Sequence, residues 1–279
     1  MAVDLHIHST ASDGTQEPAE IVRLAADKGL TAIAIVDHDT VAGVAPALEA
    51  ARGLPLQVVP AVEINTDVHE ADVHLLGYHI DPSDEGLAKL LAAVREQRLE
   101  RAEQMVRRLQ ALGLGVQMAD VLRQAGDAAV ARPHVAAALC KLGACSSPQE
   151  GFDRFLSRGR PAYVPRYRLT PAQAIESIAT AGGVPVLGHP GLMNRDSMIP
   201  KLVPLGLRGL EAYHVFHSPR ATAKYLALAD RLGLVVTGGT DSHGPWGTRP
   251  VEIGAVEVPD EVLGPLAAVA AELRAARGR

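Results

Sequence analysis

Histidine or carboxylate recurs at seven points along the chain, and their spacing is that of a metal-binding rim. His6 and His8 stand two apart in Asp-Leu-His-Ile-His-Ser, and Asp13 follows in Ser-Asp-Gly. Asp37-His38-Asp39 closes a second apolar run, Glu63 a third, and His74 lies in a fourth. His189 stands in Gly-His-Pro, Glu211 and His214 lie in a sixth run, and Asp241-Ser242-His243 follows the seventh. Side chains alternate along a strand, so His6 and His8 point the same way, as do Asp241 and His243. Imidazole nitrogen and carboxylate oxygen without thiolate suit zinc, manganese or iron, and ligand type alone does not choose between them. A single histidine at a strand end is more often a satisfied polar residue than a ligand. Six or seven strand ends converging are different, because burying that many polar groups without a cation would cost several kcal/mol per unpaired ion.

The elements that must position these residues alternate between short apolar runs and amphipathic stretches, the pattern of βα units. Strands are expected at Val3–His8, Thr31–Asp37, Gln57–Ile64, Val73–Tyr78, Val184–Gly188, Gly209–Tyr213 and Leu234–Gly238, all parallel. Helices are expected at Pro18–Lys28 and Pro171–Ala181, each with Pro near its start and Gly just past its end. Another apolar stretch, Ile253–Val258, precedes a final Ala/Leu-rich helix. Seven strands with helices between them predict an α/β fold, an open or distorted (β/α) barrel with its active rim at the C-terminal strand ends.

Residues 81–168 break the rhythm. Glu85 to Leu112 reads as one long helix, with Leu87, Leu91, Val94, Ala102, Met105 and Leu109 forming its apolar stripe. The expected organisation is a barrel of residues 1–80 and 169–279 carrying the metal site. Residues 81–168 form a helical insertion that covers the active-site mouth.

Composition narrows the class. The 279 residues suffice for one large α/β domain with an insertion, and 47% hydrophobic content excludes a mainly disordered chain. Only 3% is aromatic, so the core is expected to consist of Leu, Val, Ile and Ala. A net charge of -5 gives no global basic field, so any phosphate recognition is local. Cys140 and Cys145 are too few for a disulfide framework and read as thiols of a reducing compartment. No run approaches the roughly 20 apolar residues of a membrane span, and the opening Met-Ala-Val-Asp-Leu-His has no basic leader region. These features predict a cytoplasmic protein.

Asp-Leu-His-Ile-His-Ser with its Ser-Asp-Gly, then Asp-His-Asp, Glu63, His74, Gly-His-Pro and Thr-Asp-Ser-His resemble, in order, the motifs of the polymerase and histidinol phosphatase (PHP) family. The match runs over nearly the whole chain. Arg-Pro-His at Arg132–His134, the arginine-rich helix and Arg-Gly-Arg-Pro-Ala-Tyr-Val are similar to a bacterial branch. Members of that branch act as 3′,5′-nucleoside bisphosphate phosphatases or as 5′-to-3′ exoribonucleases on short RNA. The resemblance implies a distorted seven-stranded barrel of PHP type. It also implies two or three divalent transition metals, manganese first, with iron or zinc as alternatives. His6, His8, Glu63 and Asp241 would hold one, with Glu63 bridging to a second at His74. Asp13, His38 and His243 would hold the third. His189 or His134 would complete the second, and His189 is preferred because it ends a strand.

The activity so implied is metal-assisted phosphoester hydrolysis. Glu63 and Asp241 would be the catalytic carboxylates around the attacking hydroxide. Removal of the 3′-phosphate from a nucleoside 3′,5′-bisphosphate would leave the 5′-monophosphate, and short 5′-phosphorylated RNA is a second possible substrate. Arg98 and Arg101 share a helix face and could clamp a phosphate. With Arg132, His134 and Arg158 they would hold the second phosphate, although a solvated helix face explains the same arginines. No membrane and no obligate protein partner is expected. One alternative is an amidohydrolase, which also opens with His-x-His. Lys28, Lys89, Lys141, Lys201 and Lys224 all fall in helices or loops, however, so no lysine bridge at a strand end is available. A histidinol-phosphate-type phosphatase and a non-catalytic, metal-stabilised RNA-binding module are further alternatives. Acidic net charge and scarce aromatics stand against RNA binding. His69 and His79 read as surface residues.

Overall fold

A computed structural model describes residues 2–68, 71–126, 129–165, 169–193, 195–246 and 250–277. Eight strands form one sheet: β1 (Ala2–Ile7), β2 (Ala32–Ile35), β3 (Gln57–Val68), β4 (Ala71–Tyr78), β5 (Val184–Leu187), β6 (Gly209–His214), β7 (Val235–Gly239) and β8 (Val258–Pro259). Their order is β7-β6-β5-β4-β3-β2-β1-β8. The seven expected strands are present, and the eighth is the end of the Ile253–Val258 stretch. It pairs antiparallel with β1 over Ala2↔Pro259 and Val3↔Val258. Pro259 has no N–H to donate, which suits so short an edge strand.

The all-parallel expectation needs correcting at β4, which runs antiparallel to both β3 and β5. Only two residues separate Val68 from Ala71. A parallel return needs a crossover of about a dozen residues or more, so the chain can only reverse. The remaining pairs, β1–β2, β2–β3, β5–β6 and β6–β7, are parallel. Past β7, the chain bridges back to β1 through Ile7↔Ser242, and His8 N donates to Ser242 O at 2.9 Å. The sheet thereby nearly closes into a barrel. Closure requires glycine: a Cβ on Gly239 would lie 2.4 Å from both the backbone N and the Cβ of His6.

Strand alternation sorts the apolar residues into two layers. Ala32, Ala34 and Val36 join Val3, Leu5, Val59, Ala61, Leu76, Val184 and Val186 in one cluster, which Leu266 and Ala270 of the C-terminal helix Leu263–Arg277 complete. Ile33 and Ile35 turn the other way, onto Ile21, Val22 and Ala25 of α1 (Pro18–Asp27) and Ala47 of α2 (Val44–Ala50). Each such fully buried Ile or Val contributes roughly 1.5–3 kcal/mol. Helix α1 has Pro at its first position and is followed by Gly29 at φ +72°, as its sequence predicts. The core is not purely aliphatic: Tyr78 and Tyr225 are among its largest fully buried side chains, and the Tyr78 hydroxyl donates to Leu5 O at 2.9 Å.

The chain divides into two compact units, Met1–Leu91 with Arg168–Arg279, and Ala92–Tyr167. The smaller has its own core. Helix α3 (Glu85–Ala111) contributes Met105 and Leu109, α4 (Met118–Ala125) Val121, and α5 (Arg132–Lys141) Val135 and Leu139. Leu156, from the π-helical turn Phe152–Leu156, completes the cluster. Cys140 and Cys145 are free thiols. His79, read as a surface residue, is half-buried at φ +58° with its carbonyl accepting from Arg274, while His69 lies outside the described residues. Among the described residues no helix is long and apolar enough to cross a membrane.

Candidate metal centre

Glu63 is the hub. Its carboxylate is fully buried in β3, on the face it shares with Asn65, and β4 pairs Leu76 with Glu63 and His74 with Asn65. The reversed strand thus delivers His74 from mid-strand and not from a C-terminal end. Around Glu63 stand His74 Nδ1 at 2.6 Å, His38 Nδ1 at 3.0 Å, His8 Nε2 at 3.2 Å, His189 Nε2 at 3.3 Å and His6 Nε2 at 3.5 Å. Asp241 Oδ1 lies 3.2 Å from His8 Nε2 and 3.4 Å from His6 Nε2. Asp13 approaches His243 Nε2 at 3.4 Å, with His8 and His38 at 3.8 Å.

Among the described residues, four groups of donor atoms fall close enough to share an ion: His8, Asp13, His38 and His243; His6, His189 and Asp241; His6, His8 and Glu63; His38, Glu63 and His74. All nine residues expected as ligands from the sequence lie in these groups. The fit to divalent cations can be tested on the polar atoms themselves. His6 Nε2, both ring nitrogens of His8, Glu63 Oε2, His74 Nδ1 and His214 Nε2 are buried without a hydrogen-bond partner. Buried polar atoms are almost always partnered, so such a concentration within one cluster fits a site built for cations.

Charge balance points the same way. Burial alone would raise the carboxyls of Glu63, Asp241 and Asp13. The imidazoles reverse this, His38 and His74 at Glu63, His6 and His214 at Asp241, His38 and His243 at Asp13, and hold all three well below the usual carboxylate range. Burial likewise disfavours charge on the imidazoles. Glu211 and Asp241 nevertheless push His6 well above its ordinary value, and Asp241 and Glu63 push His8 up to about 10. Without cations the carboxylates are therefore neutralised by protons on imidazole. Cations take the place of those protons.

A supporting layer holds the rim in place. Glu211, fully buried in β6, accepts from His6 Nδ1 at 2.9 Å and from the backbone N–H of His189 at 2.6 Å. Such a carboxylate behind a ligating imidazole fixes ring orientation and tautomer. Asp4 accepts from Thr240 N and Oγ1 at 3.0 and 2.7 Å and from Gly254 N at 2.9 Å, tying β1 to the loop after β7. Asp37 accepts from Ser9 N and Oγ and from Ser12 Oγ, at 2.6–2.7 Å, fixing the turn that carries Asp13. Among the described residues, four non-glycine positions have positive φ: Asp39 (53°), His79 (58°), His189 (23°) and Asp241 (55°). Three of them belong to this rim, where the surroundings over-determine the strained backbone: Asp39 N donates to Glu63 O and Asp241 N to His6 O, both at 2.8 Å.

Sequence reasoning placed Glu211 and His214 at a strand end but gave neither a role, and it missed the anchoring by Asp4 and Asp37. Asp4 directly precedes Leu5-His6, and Asp37 directly precedes His38, so period-2 alternation could have flagged Asp4 as sharing a face with His6 and His8. The anion-binding candidates lie in the smaller unit. Arg101 Nε donates to Val164 O at 2.9 Å, and the Arg132 guanidinium stands 5.7 Å from the centre of the Phe152 ring. His134 Nδ1 accepts from Ala131 N at 3.1 Å, closing the start of α5. Arg98 is half-buried on α3, and Arg158 is exposed.

Comparison with known proteins places this centre in a family. The PHP domain model matches residues 4–127. The chain is 35% identical over 249 residues to the 5′-3′ exoribonuclease Rnm of Escherichia coli, covering 87% of this chain and 85% of that one. It is 34% identical over 251 residues to the 3′,5′-nucleoside bisphosphate phosphatase of Chromobacterium violaceum, covering 87% of each. A crystal structure from Bifidobacterium adolescentis, described as a metal-dependent phosphoesterase, superposes with a TM-score of 0.83 at 32% identity over 95% of both chains. With these relatives and this rim, the chain belongs to the PHP family of metal-dependent phosphoester hydrolases.

Proposed function

We propose that this protein removes the 3′-phosphate from nucleoside 3′,5′-bisphosphates, giving the 5′-monophosphate and inorganic phosphate. The observation that carries this reading is the hub at Glu63, a fully buried carboxylate ringed by five imidazoles, of which His6, His8 and His74 turn unpartnered nitrogens towards it. The named activity of the Chromobacterium violaceum relative supplies the substrate class. A second reading, 5′-to-3′ trimming of short 5′-phosphorylated RNA, draws on the Escherichia coli relative and uses the same site.

In this proposal two or three divalent ions, manganese first, occupy the rim. His8, Asp13, His38 and His243 hold one, while His6, His189 and Asp241 face Glu63 and His74 across the remainder. Bound there, such ions acidify water and neutralise charge on the phosphoryl oxygens. Glu63 and Asp241 keep the reacting end anionic, so that cations and not protons fill it. Glu211 orients His6, and Asp37 holds the Asp13 turn. Arg98, Arg101, Arg132, His134 and Arg158 are assigned to the second phosphate. The i,i+3 spacing of Arg98 and Arg101 supports this, as does His134, whose Nδ1 accepts a backbone N–H so that its Nε2 carries the proton.

Phosphate release from a panel of 3′,5′-bisphosphates, mononucleotides, short RNA and an aryl phosphate tests the assignment. Each is measured with chelator and with added manganese. The expected result is metal-dependent turnover with the bisphosphates preferred by efficiency. Equal efficiency on 5′-monophosphates, or cleavage of amides in place of esters, would overturn it.

A further inference from the structure

A neutral imidazole carries one N–H, and the partner of one ring nitrogen decides whether the other donates or accepts. At His6, Nδ1 faces Glu211 Oε1 at 2.9 Å. A carboxylate only accepts, so Nδ1 holds the proton and Nε2 turns a lone pair towards the cluster. His243 is built alike: Nδ1 donates to the Asp241 carbonyl at 2.9 Å, leaving the Nε2 lone pair facing Asp13.

His214 is the inverse case. Its Nδ1 accepts the backbone N–H of Phe216 at 3.2 Å, so the proton sits on Nε2. That Nε2 is buried, has no hydrogen-bond partner and stands 3.7 Å from Asp241 Oδ2. The residue is only 3% exposed and belongs to none of the four candidate ligand groups. Its ring is 5.5 Å from that of His189 and 6.2 Å from that of His6, and its tautomer is the opposite of that of His6. A ligand needs a lone pair where His214 presents a proton. A buried donor whose nearest acceptor, the Asp241 carboxylate, stands beyond hydrogen-bond distance is matched when a closer acceptor arrives with the substrate.

We propose that His214 is a catalytic hydrogen-bond donor, its Nε2–H directed at a non-bridging oxygen of the phosphoryl group under attack, and not a metal ligand. This rests on the phosphoester reading above. No proton is transferred and no bond is made or broken at His214. It acts by stabilising charge on the phosphoryl oxygens, from a position fixed by β6 and the Phe216 N–H.

Wild type, His214→Gln and His214→Phe decide the matter. Gln can place an amide N–H near the position of Nε2, whereas Phe keeps the ring and removes the donor. Three quantities are read: metal content after manganese reconstitution, calorimetric affinity for inorganic phosphate, and kcat with KM on an aryl phosphate. His214→Phe should keep wild-type metal content, bind inorganic phosphate about 10-fold more weakly and lose about 100-fold in kcat, while Gln restores a substantial part of both losses. If His214→Phe does not fold, His214→Asn replaces it; Asn carries its donor near Nδ1 and should show the same losses with metal intact. Metal loss in the variants would make His214 a ligand and overturn the proposal. So would unchanged phosphate affinity and turnover at full metal content, or failure of wild type to bind phosphate. A wild type that binds phosphate through His214 yet hydrolyses no phosphate ester would sink the phosphoester reading alone.

Discussion

The two units of this protein treat their polar side chains in opposite ways. In the larger unit, the rim around Glu63 leaves buried nitrogen and oxygen atoms without partners on four histidines and one glutamate. In the smaller unit, several polar side chains close on each other and on the backbone. Arg101 reaches Val164 O, Arg108 reaches Tyr163 O, and Arg154 bridges Glu150 and Ala144 O. Gln117 and Asp120 cap α4, and His134 closes the start of α5. A region whose polar atoms are satisfied is stable as it stands, and one whose polar atoms are not requires something from solution. The difference separates a unit whose buried donors await a partner from one whose polar groups are spent on its own structure.

The strongest way to break this comparison is to remove the hub. Glu63→Gln keeps shape but takes away the charge that His6, His8, His38, His74 and His189 face. The variant should lose bound metal and at least about 1000-fold in kcat, beyond the cost of one lost oxyanion-hole donor, because binding and charge stabilisation fail together. Its circular dichroism should remain that of the wild type, since the barrel's apolar layers are untouched. Elemental analysis and turnover check this, and near wild-type values of both would show that the unpartnered atoms are not where the ions go.

The smaller unit gives the next test. If its cations hold a remote phosphate, binding energy there appears at the reacting centre, because it positions the substrate. A charge-assisted hydrogen bond to phosphate contributes roughly 1.5–3 kcal/mol. Arg98→Ala, Arg101→Ala and His134→Ala should each lower kcat/KM on a 3′,5′-bisphosphate by about 10- to 100-fold, since 1.4 kcal/mol is a factor of ten. The same variants should cleave an aryl phosphate at nearly the wild-type rate. Equal losses on both substrates would erase the functional distinction between the units. No loss on either would make these side chains purely structural, as Arg101's bond to Val164 O allows.

The sequence made the ligands far more legible than their supports. His6 and His8 could be paired from alternation alone, because period 2 is a local property of the chain. Asp241 and His243 lie past the end of β7, with Asp241 at φ 55°, so strand alternation does not account for their placement. His74 was placed correctly in β4 but for the wrong reason. Its strand runs backwards, and the two residues between Val68 and Ala71 already exclude a crossover. Glu211 was visible as a carboxylate at a strand end, but its role depends on His6, 205 residues away in sequence, and no local pattern encodes that contact. The proton position on His214 depends on a backbone N–H two residues on, which exists only once the chain turns at the end of β6. The 3.6-residue apolar stripe made the long helix legible, and α3 spans Glu85–Ala111. The smaller unit's break with the barrel falls within α3, between Leu91 and Ala92, because one continuous helix serves both units.

The smallest effect expected is one of pH, and it has opposite signs in the two regions of the metal-free protein. His8 is raised to about 10 from an ordinary value near 6.5 by Asp241 and Glu63, against the opposing effect of burial. A group raised on folding contributes stability that is complete below the unfolded value and is lost as pH rises through the folded one. The rim's share should therefore decline between about pH 6.5 and about pH 10. Glu150 is lowered to about 2 by the Ser146 hydroxyl and backbone N–H and by Arg154. Its contribution is present above the ordinary carboxylate value, near 4.3, and is lost as pH falls towards 2. It is exposed, so the effect should be slight. Thermal melts of chelator-treated protein across this range should show the alkaline decline, and His8→Asn should flatten it. Glu150→Gln should soften only the acid side. Manganese should remove the alkaline decline, because deprotonated imidazoles bind the ion better and bound ion stabilises the folded state by mass action. An alkaline decline that survives both His8→Asn and manganese would place its origin outside the rim and weaken the contrast between the two units.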